Sequence, residues 1–169
     1  MDRALLLHLN LFQLKTKPGK VFLSNLRIAT SEDYSYLLPL IQEFCEIDNH
    51  EFELSRIERS LLPLLNDPNL GVVIVLENDN ELIGYAVLTW GWSLESGGRE
   101  ALLDEIYIKT RNEGMGTLLL QEVVATAKSH NAQIIFLETE LANQRVRDFY
   151  LRHGFKIEDS IWLSHNLSI

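Results

Sequence analysis

The sequence predicts an α/β (α+β) domain with a mixed, mostly antiparallel central sheet of about seven strands flanked by about four helices. Three observations predict it. From residue 26 onward, apolar residues switch between a period near two and one near 3.6 in the order β-α-α-β-β-β-α-β-α-β-β. Two β-branched, apolar runs flank Asn78-Asp79-Asn80, which is a hairpin signal. A glycine-containing turn, Arg111-Asn112-Glu113-Gly114-Met115-Gly116, joins an apolar strand to an apolar helix.

The elements follow in order. Residues 26–29 read as a strand, after which Thr30 or Ser31 caps a helix with Glu32 and Asp33 in its first turn. That helix runs to about Cys45 with Tyr34, Leu37, Leu38, Ile41, Phe44 and Cys45 on its apolar face. Ser55-Arg56-Ile57-Glu58 fits a capping box opening a second helix, and Pro63 is expected to kink or end it before the turn at residues 66–69. Residues 72–77, 81–90 and 101–108 then read as antiparallel strands. A third helix from Gly116 to about His130 repeats apolar residues at Leu120, Val123, Val124 and Ala127. After a strand at residues 133–138, the fourth helix, about residues 144–153, ends at Gly154, a natural left-handed residue. Terminal strands are expected at residues 155–157 and 161–164.

Composition narrows the function classes. The 169 residues, 46% apolar and 23% charged, suit one domain that buries roughly two-thirds of its unfolded surface. A net charge of −9 argues against coating nucleic acid, which needs a basic face, and sits more easily with a cationic partner. One cysteine, Cys45, permits no internal disulfide, so the chain reads as cytoplasmic and Cys45 as a small core residue. No apolar run is long enough to span a bilayer. Residues 1–25 read as an N-terminal appendage; Asp2, His8 and Asn10 interrupt what would otherwise resemble a signal peptide. The single domain is assigned to residues 26–169. The five histidines lack ligand spacing, so no metal site is expected.

The turn at residues 111–116 is the main carrier of chemistry. Glycines at a helix start let an anion approach backbone N–H groups at the positive end of the macrodipole. A dinucleotide-binding fingerprint is the competing reading, but its third glycine position is Leu119, and polar residues separate Ile108 from Gly114. Without a ligand, the two glycines could simply form a loop with close helix contact.

Together with the order of elements, Arg111-x-x-Gly114-x-Gly116, Asn143, Phe149-Tyr150 and Gly154-Phe155 resemble the GNAT superfamily of acetyl-CoA-dependent N-acetyltransferases. The resemblance covers nearly all of residues 26–169 and extends to the strands Gly84-Tyr85-Ala86-Val87-Leu88-Thr89 and Leu103-Asp104-Glu105-Ile106-Tyr107-Ile108. Only Lys109-Thr110 separates the strand from Arg111, where many members have two more residues. The resemblance implies a GNAT-like acyl-CoA N-acyltransferase fold that moves an acetyl group from acetyl-CoA to a primary amine of a small molecule or peptide.

Site roles follow from the same resemblance. The amides of Glu113, Gly114, Met115, Gly116 and Thr117 would hold the pyrophosphate of coenzyme A, with Arg111 and Asn112 alongside. The backbone of Ile106, Tyr107 and Ile108 would pair with the pantetheine arm, one N–H acting as an oxyanion donor. Asn143 would contact the coenzyme, and it is also an N-cap candidate. Tyr150 would protonate the departing thiolate, although its stripe with Val146, Phe149 and His153 is also what packing alone would select.

An amine that is protonated near neutral pH needs a base before it can attack. Asp104 and Glu105 are the candidates. Strict alternation puts Glu105 on the face of Leu103 and Tyr107, and Asp104 with Ile106 and Ile108; an exposed or salt-bridged acid is the bland alternative for either. The resemblance implies an acceptor pocket shaped by the first two helices, the loop between them and the third strand, which would bring in Glu46, Asp48, His50, Glu51, Glu53, Trp90 and Trp92, though paired tryptophans on a strand more often pack a sheet or a dimer contact. Family resemblance makes a homodimer a reasonable expectation. A binding module that keeps the coenzyme cleft without turnover is the alternative function.

Overall fold

Strand formation is most strongly encoded where β-branched residues run unbroken. The computed structural model, which describes residues 10–14, 22–110 and 114–167, turns that run into β3 (Gly71–Asn78), buried on both faces through Leu76. Asp79 and Asn80 both take positive φ, 51° and 65°, as a two-residue type I′ turn requires, and reverse the chain into β4 (Glu81–Ser93). β5 (Gly98–Ile108) returns antiparallel, and β2 (Phe22–Ile28) lies on the other side of β3. β1 (Asn10–Leu14) pairs antiparallel with β2, and β6 (Ile134–Leu137) pairs parallel with β5. The sheet order is β1-β2-β3-β4-β5-β6.

The strand count corrects the expectation of about seven. Five strands, β2 to β6, realise the first five expected, and the sixth, β1, comes from the N-terminal segment. The two terminal strands do not form. Residues 155–167 carry no strand, and Ile157, Ile161, Trp162, Leu163 and Leu167 are exposed. A β-favouring pattern forms a strand only when a ladder accepts it.

Four helices form as expected: α1 (Tyr34–Ile47), α2 (Leu54–Asn66), α3 (Met115–Ser129) and α4 (Gln144–Arg152). The first begins through a 3₁₀ turn at Ser31–Asp33, where the Thr30 N–H donates to Asp33 Oδ2 at 2.8 Å. For α2, the capping box at Ser55 is not realised, because Glu53 is the N-cap and Ser55 Oγ donates to the Glu53 carboxylate. Pro63 does not end α2. The helix runs on to Asn66, and Asp67 N–H still donates to Pro63 O at 2.9 Å; a proline this close to the C-terminus removes only one ladder bond.

The chain divides into two compact units, Met1–Glu138 and Thr139–Ile169. In the first, α1 and α2 bury Leu37, Leu40, Ile41, Cys45 and Leu61 against Val73, Val75, Tyr85, Val87 and Tyr107. The opposite face is covered by α3, through the fully buried Leu119, Leu120 and Val123. Each such leucine contributes about 1.5–3 kcal/mol by leaving water. In the second unit, Asn143 Oδ1 caps α4 by accepting from Val146 N–H at 3.3 Å, and Gly154 follows the helix at φ 90°.

Arg27 of β2 clamps the start of α1 to the sheet. Its guanidinium meets both carboxylate oxygens of Asp33, at 2.8 and 2.7 Å, and reaches Glu77 Oε1 of β3 at 2.7 Å. Asp33 is buried, and its carboxyl is held below the usual range by the Arg27 hydrogen bonds.

Two details fix backbone approach and side-chain direction. A Cβ on Gly71 would sit 2.1 Å from the Leu88 carbonyl oxygen and 2.9 Å from Leu64 Cδ1. Gly71→Ala is therefore expected to cost about 1–3 kcal/mol, read as a lower urea midpoint at unchanged m-value.

The second detail is the register of β4 and β5. It runs from Gly84↔Ile108 to Val87↔Glu105 and then slips, placing Leu88 opposite Leu103. Asp104 is the extra residue of a β-bulge. This corrects the face assignment made by strict alternation. Glu105 and Tyr107 share the α1/α2 face with Val87 and Tyr85, whereas Leu103 lies with Leu88 on the α3 face.

Candidate active site

Sheet geometry creates an opening along β5. β6 pairs only with residues 100–103, so beyond Leu103 β5 has no strand partner on that side among the described residues. Lys109 N–H donates to Ile83 O at 2.8 Å, which fixes the phase of the β4–β5 ladder. By alternation the amide of Tyr107 faces β4, and the amides of Ile106 and Ile108 face the open side. Two outward N–H groups on a half-buried strand suit an extended, amide-containing ligand.

The same chain then enters α3. Gly114 is its N-cap, in the left-handed region at φ 79°, with open space where a Cβ would lie. Glycine brings no capping side chain, so the helix start offers backbone amides and the positive dipole end to an anion. Thr117 and Leu118 N–H both turn back to Gly114 O, at 3.1 and 3.2 Å, which closes the first turn of the helix. Arg111, Asn112 and Glu113 lie outside the described residues.

On the α1/α2 face, Glu105 is half-buried and accepts a 2.7 Å hydrogen bond at Oε2 from the Tyr85 hydroxyl. Burial pushes its carboxyl above the ordinary range, and the Tyr85 bond partly opposes that rise. Tyr107 donates to Glu43 Oε2 of α1 at 2.8 Å, and Lys109 Nζ lies 3.6 Å from Glu43 Oε1. The Tyr107 side chain is thus committed to α1. Asp104 projects from the bulge and is exposed.

In the second unit Tyr150 is 7% exposed and packs edge-on against Phe149 and Phe155, with centroids 5.4 and 5.5 Å away. Burial pushes its phenol up to about 12, so it stays protonated at neutral pH.

The acceptor-side expectations divide. Asp48 and His50 follow α1, 3.3 Å apart, and both bear electrostatically on Glu105. Trp90 does not join them. It stacks on His130 at 4.9 Å with Arg99 over its ring, and Nε1 donates to Pro68 O, on the α3 side of the sheet; Trp92 is 76% exposed. Sequence reading missed Tyr85 and Glu43. The available signal was a hydroxyl on an otherwise aliphatic central strand, which must find an acceptor. Among the described residues no group of three His, Cys, Asp or Glu could hold a metal ion, and no helix is long and apolar enough to cross a membrane.

Comparison with known proteins agrees with this geometry. The model of the acetyltransferase (GNAT) family matches residues 37–155. An uncharacterized N-acetyltransferase of Bacillus subtilis (strain 168), YhfO, is 26% identical over 147 residues, covering 86% of this chain and 97% of that protein. The aminoalkylphosphonate N-acetyltransferase of Salmonella typhimurium (strain LT2) is 27% identical over 133 residues, covering 78% of this chain and 84% of that protein. The crystal structure of a predicted acetyltransferase with acetyl-CoA from Clostridium acetobutylicum superposes with a TM-score of 0.69 at 25% identity, covering 85% of this chain and 96% of that one. The chain belongs to the GNAT acetyltransferase family and is an acyltransferase of the N-acetyltransferase type.

Proposed function

We propose that the protein transfers an acetyl group from acetyl-CoA to a primary amine of a small molecule or peptide, by direct attack of the amine on the thioester, within a catalytic domain spanning residues 26–169. The observation that carries this reading is the continuity of β5 and α3. An open strand edge with outward amides at Ile106 and Ile108 leads, within a few residues, to a glycine-capped helix start. The first suits the amide-rich pantetheine arm and the second its diphosphate.

The residues divide the work. An outward N–H of Ile106 or Ile108 donates to the carbonyl oxygen as negative charge develops there. Glu105, half-buried and held at Oε2 by Tyr85, takes the proton from the amine; desolvation raises the carboxyls of both Glu105 and Asp104, and Asp104, exposed on the bulge, is the weaker candidate. Tyr150, protonated at neutral pH, supplies the proton to the leaving thiolate. Asn143 and residues 111–117 complete the proposed coenzyme contacts, on the strength of the family pattern. The Salmonella relative's name suggests aminoalkylphosphonates as one acceptor class.

Thiol release from acetyl-CoA, screened over aminoalkylphosphonates, polyamines, amino acids, aminoglycosides and peptides, tests the proposal. Release that depends on one amine class is the expected result. Binding of acetyl-CoA without release for any amine would replace the enzyme by a coenzyme-binding module, and no binding would remove the coenzyme from the account.

A further inference from the structure

Tyr85 is the largest fully buried side chain of the first unit, on a strand flanked by β3 and β5. Its ring packs 6.2 Å from Tyr107 and lies in the core formed with α1 and α2. A phenol hydroxyl in that setting needs a partner, because a buried donor left unpaired loses the hydrogen bond it made to water. The partner is Glu105 Oε2, at 2.7 Å. Glu105 Oε1 takes no hydrogen bond among the described residues.

We propose that Tyr85 is the positioning residue of the base: its hydroxyl occupies Oε2 of Glu105 and leaves Oε1 as the oxygen that accepts the proton of the attacking amine. This inference rests on the reading of Glu105 as the base. The ring cannot swing, because the core encloses it, so the carboxylate is held in one orientation before substrate arrives. A proton moves from the ammonium nitrogen to Oε1, the freed lone pair forms the new C–N bond, the C–S bond breaks with its electron pair leaving on the coenzyme sulfur, which is protonated to the thiol, and Tyr85 keeps its own proton throughout. Burial and the neighbouring Glu105 charge push the phenol far above its ordinary range, so it remains a donor at every working pH.

Other charges also bear on Glu105. Asp104 on its own strand, and Asp48 beyond α1, raise its carboxyl, and His50 lowers it. Cys45 of α1 is buried beside it, and Arg56 of α2 acts on Cys45. None of them is the hydrogen-bond donor to the carboxylate. Tyr85→Phe removes that donor and keeps the ring, so its effect isolates the bond.

The test is a carboxyl titration by ¹³C NMR of glutamate-labelled protein, with the Glu105 resonance assigned by its absence in Glu105→Gln. The resonance is expected to titrate above the ordinary glutamate range in the parent and to move up by about one further pH unit in Tyr85→Phe. Tyr85→Phe, Glu105→Gln and the double variant are then compared for thiol release from acetyl-CoA over the amine panel. Because Tyr85 acts through Glu105, the double variant should be no slower than Glu105→Gln alone. An unmoved resonance, or a double variant slowed by the product of the two single effects, would overturn the role of Tyr85. Full activity of Glu105→Gln would instead overturn the assignment of the base beneath it.

Discussion

Glu105→Gln should lower kcat/KM for acetyl transfer by about 10²- to 10⁴-fold, the range that a positioned general base contributes. It should also erase a limb of the pH profile. In the parent, activity falls as pH drops through the raised carboxyl value of Glu105, so that limb lies above the ordinary carboxylate range. Glutamine has nothing to titrate there. Stability should move the other way. An acid whose folded value lies above its unfolded one binds more protons folded than unfolded, so ionising it as pH rises through that window works against the fold. The variant should therefore be at least as stable as the parent near pH 7, and a urea melt beside the kinetics separates lost chemistry from lost structure. A variant that is slow only because it unfolds would contradict both halves.

The second large effect concerns stability alone. Asp33→Ala is expected to cost about 3 kcal/mol, because it strips the partly buried Arg27 guanidinium of its bidentate partner and leaves Glu77 to hold it. The same change also removes the acceptor for the Thr30 N–H where the chain enters α1. The pH dependence has a definite sign. Asp33 has a depressed folded value, so its contribution is complete above the unfolded value of about 3.9 and is lost as pH falls through the lower folded one. Urea midpoints of parent and variant should differ clearly at pH 7, and the gap should begin to close only as pH falls below about 3.9. A constant gap would remove the ionised pair as its cause.

Much of this protein was legible from local pattern. The hairpin at Asp79 and Asn80, the Asn143 cap and the left-handed Gly154 each depend on residues within one turn of one another, and each forms as expected. Glycine 114 likewise sets a helix start through its own φ. What stayed hidden depends on partners far away in the chain. The Tyr85–Glu105 bond joins adjacent strands through a register that no window of sequence displays. Whether Ile161 and Trp162 enter a sheet is decided by a ladder, not by their β propensity. A one-residue slip at Asp104 was invisible for the same reason, since periodicity fixes faces only while the register holds.

That slip makes β5 a strand of two parities. Before position 104 its odd-numbered residues, Ala101 and Leu103, serve the interior beneath α3; after it the odd-numbered residues, Glu105 and Tyr107, serve the opposite layer. A single backbone thereby delivers hydrocarbon to one side of the sheet and ionisable groups to the other without any change in its numbering rhythm. Deleting Asp104 would therefore leave Leu103 and Glu105 opposite Leu88 and Val87 as they are now, each on its present face, and would remove only the local bend that the extra residue puts into the strand.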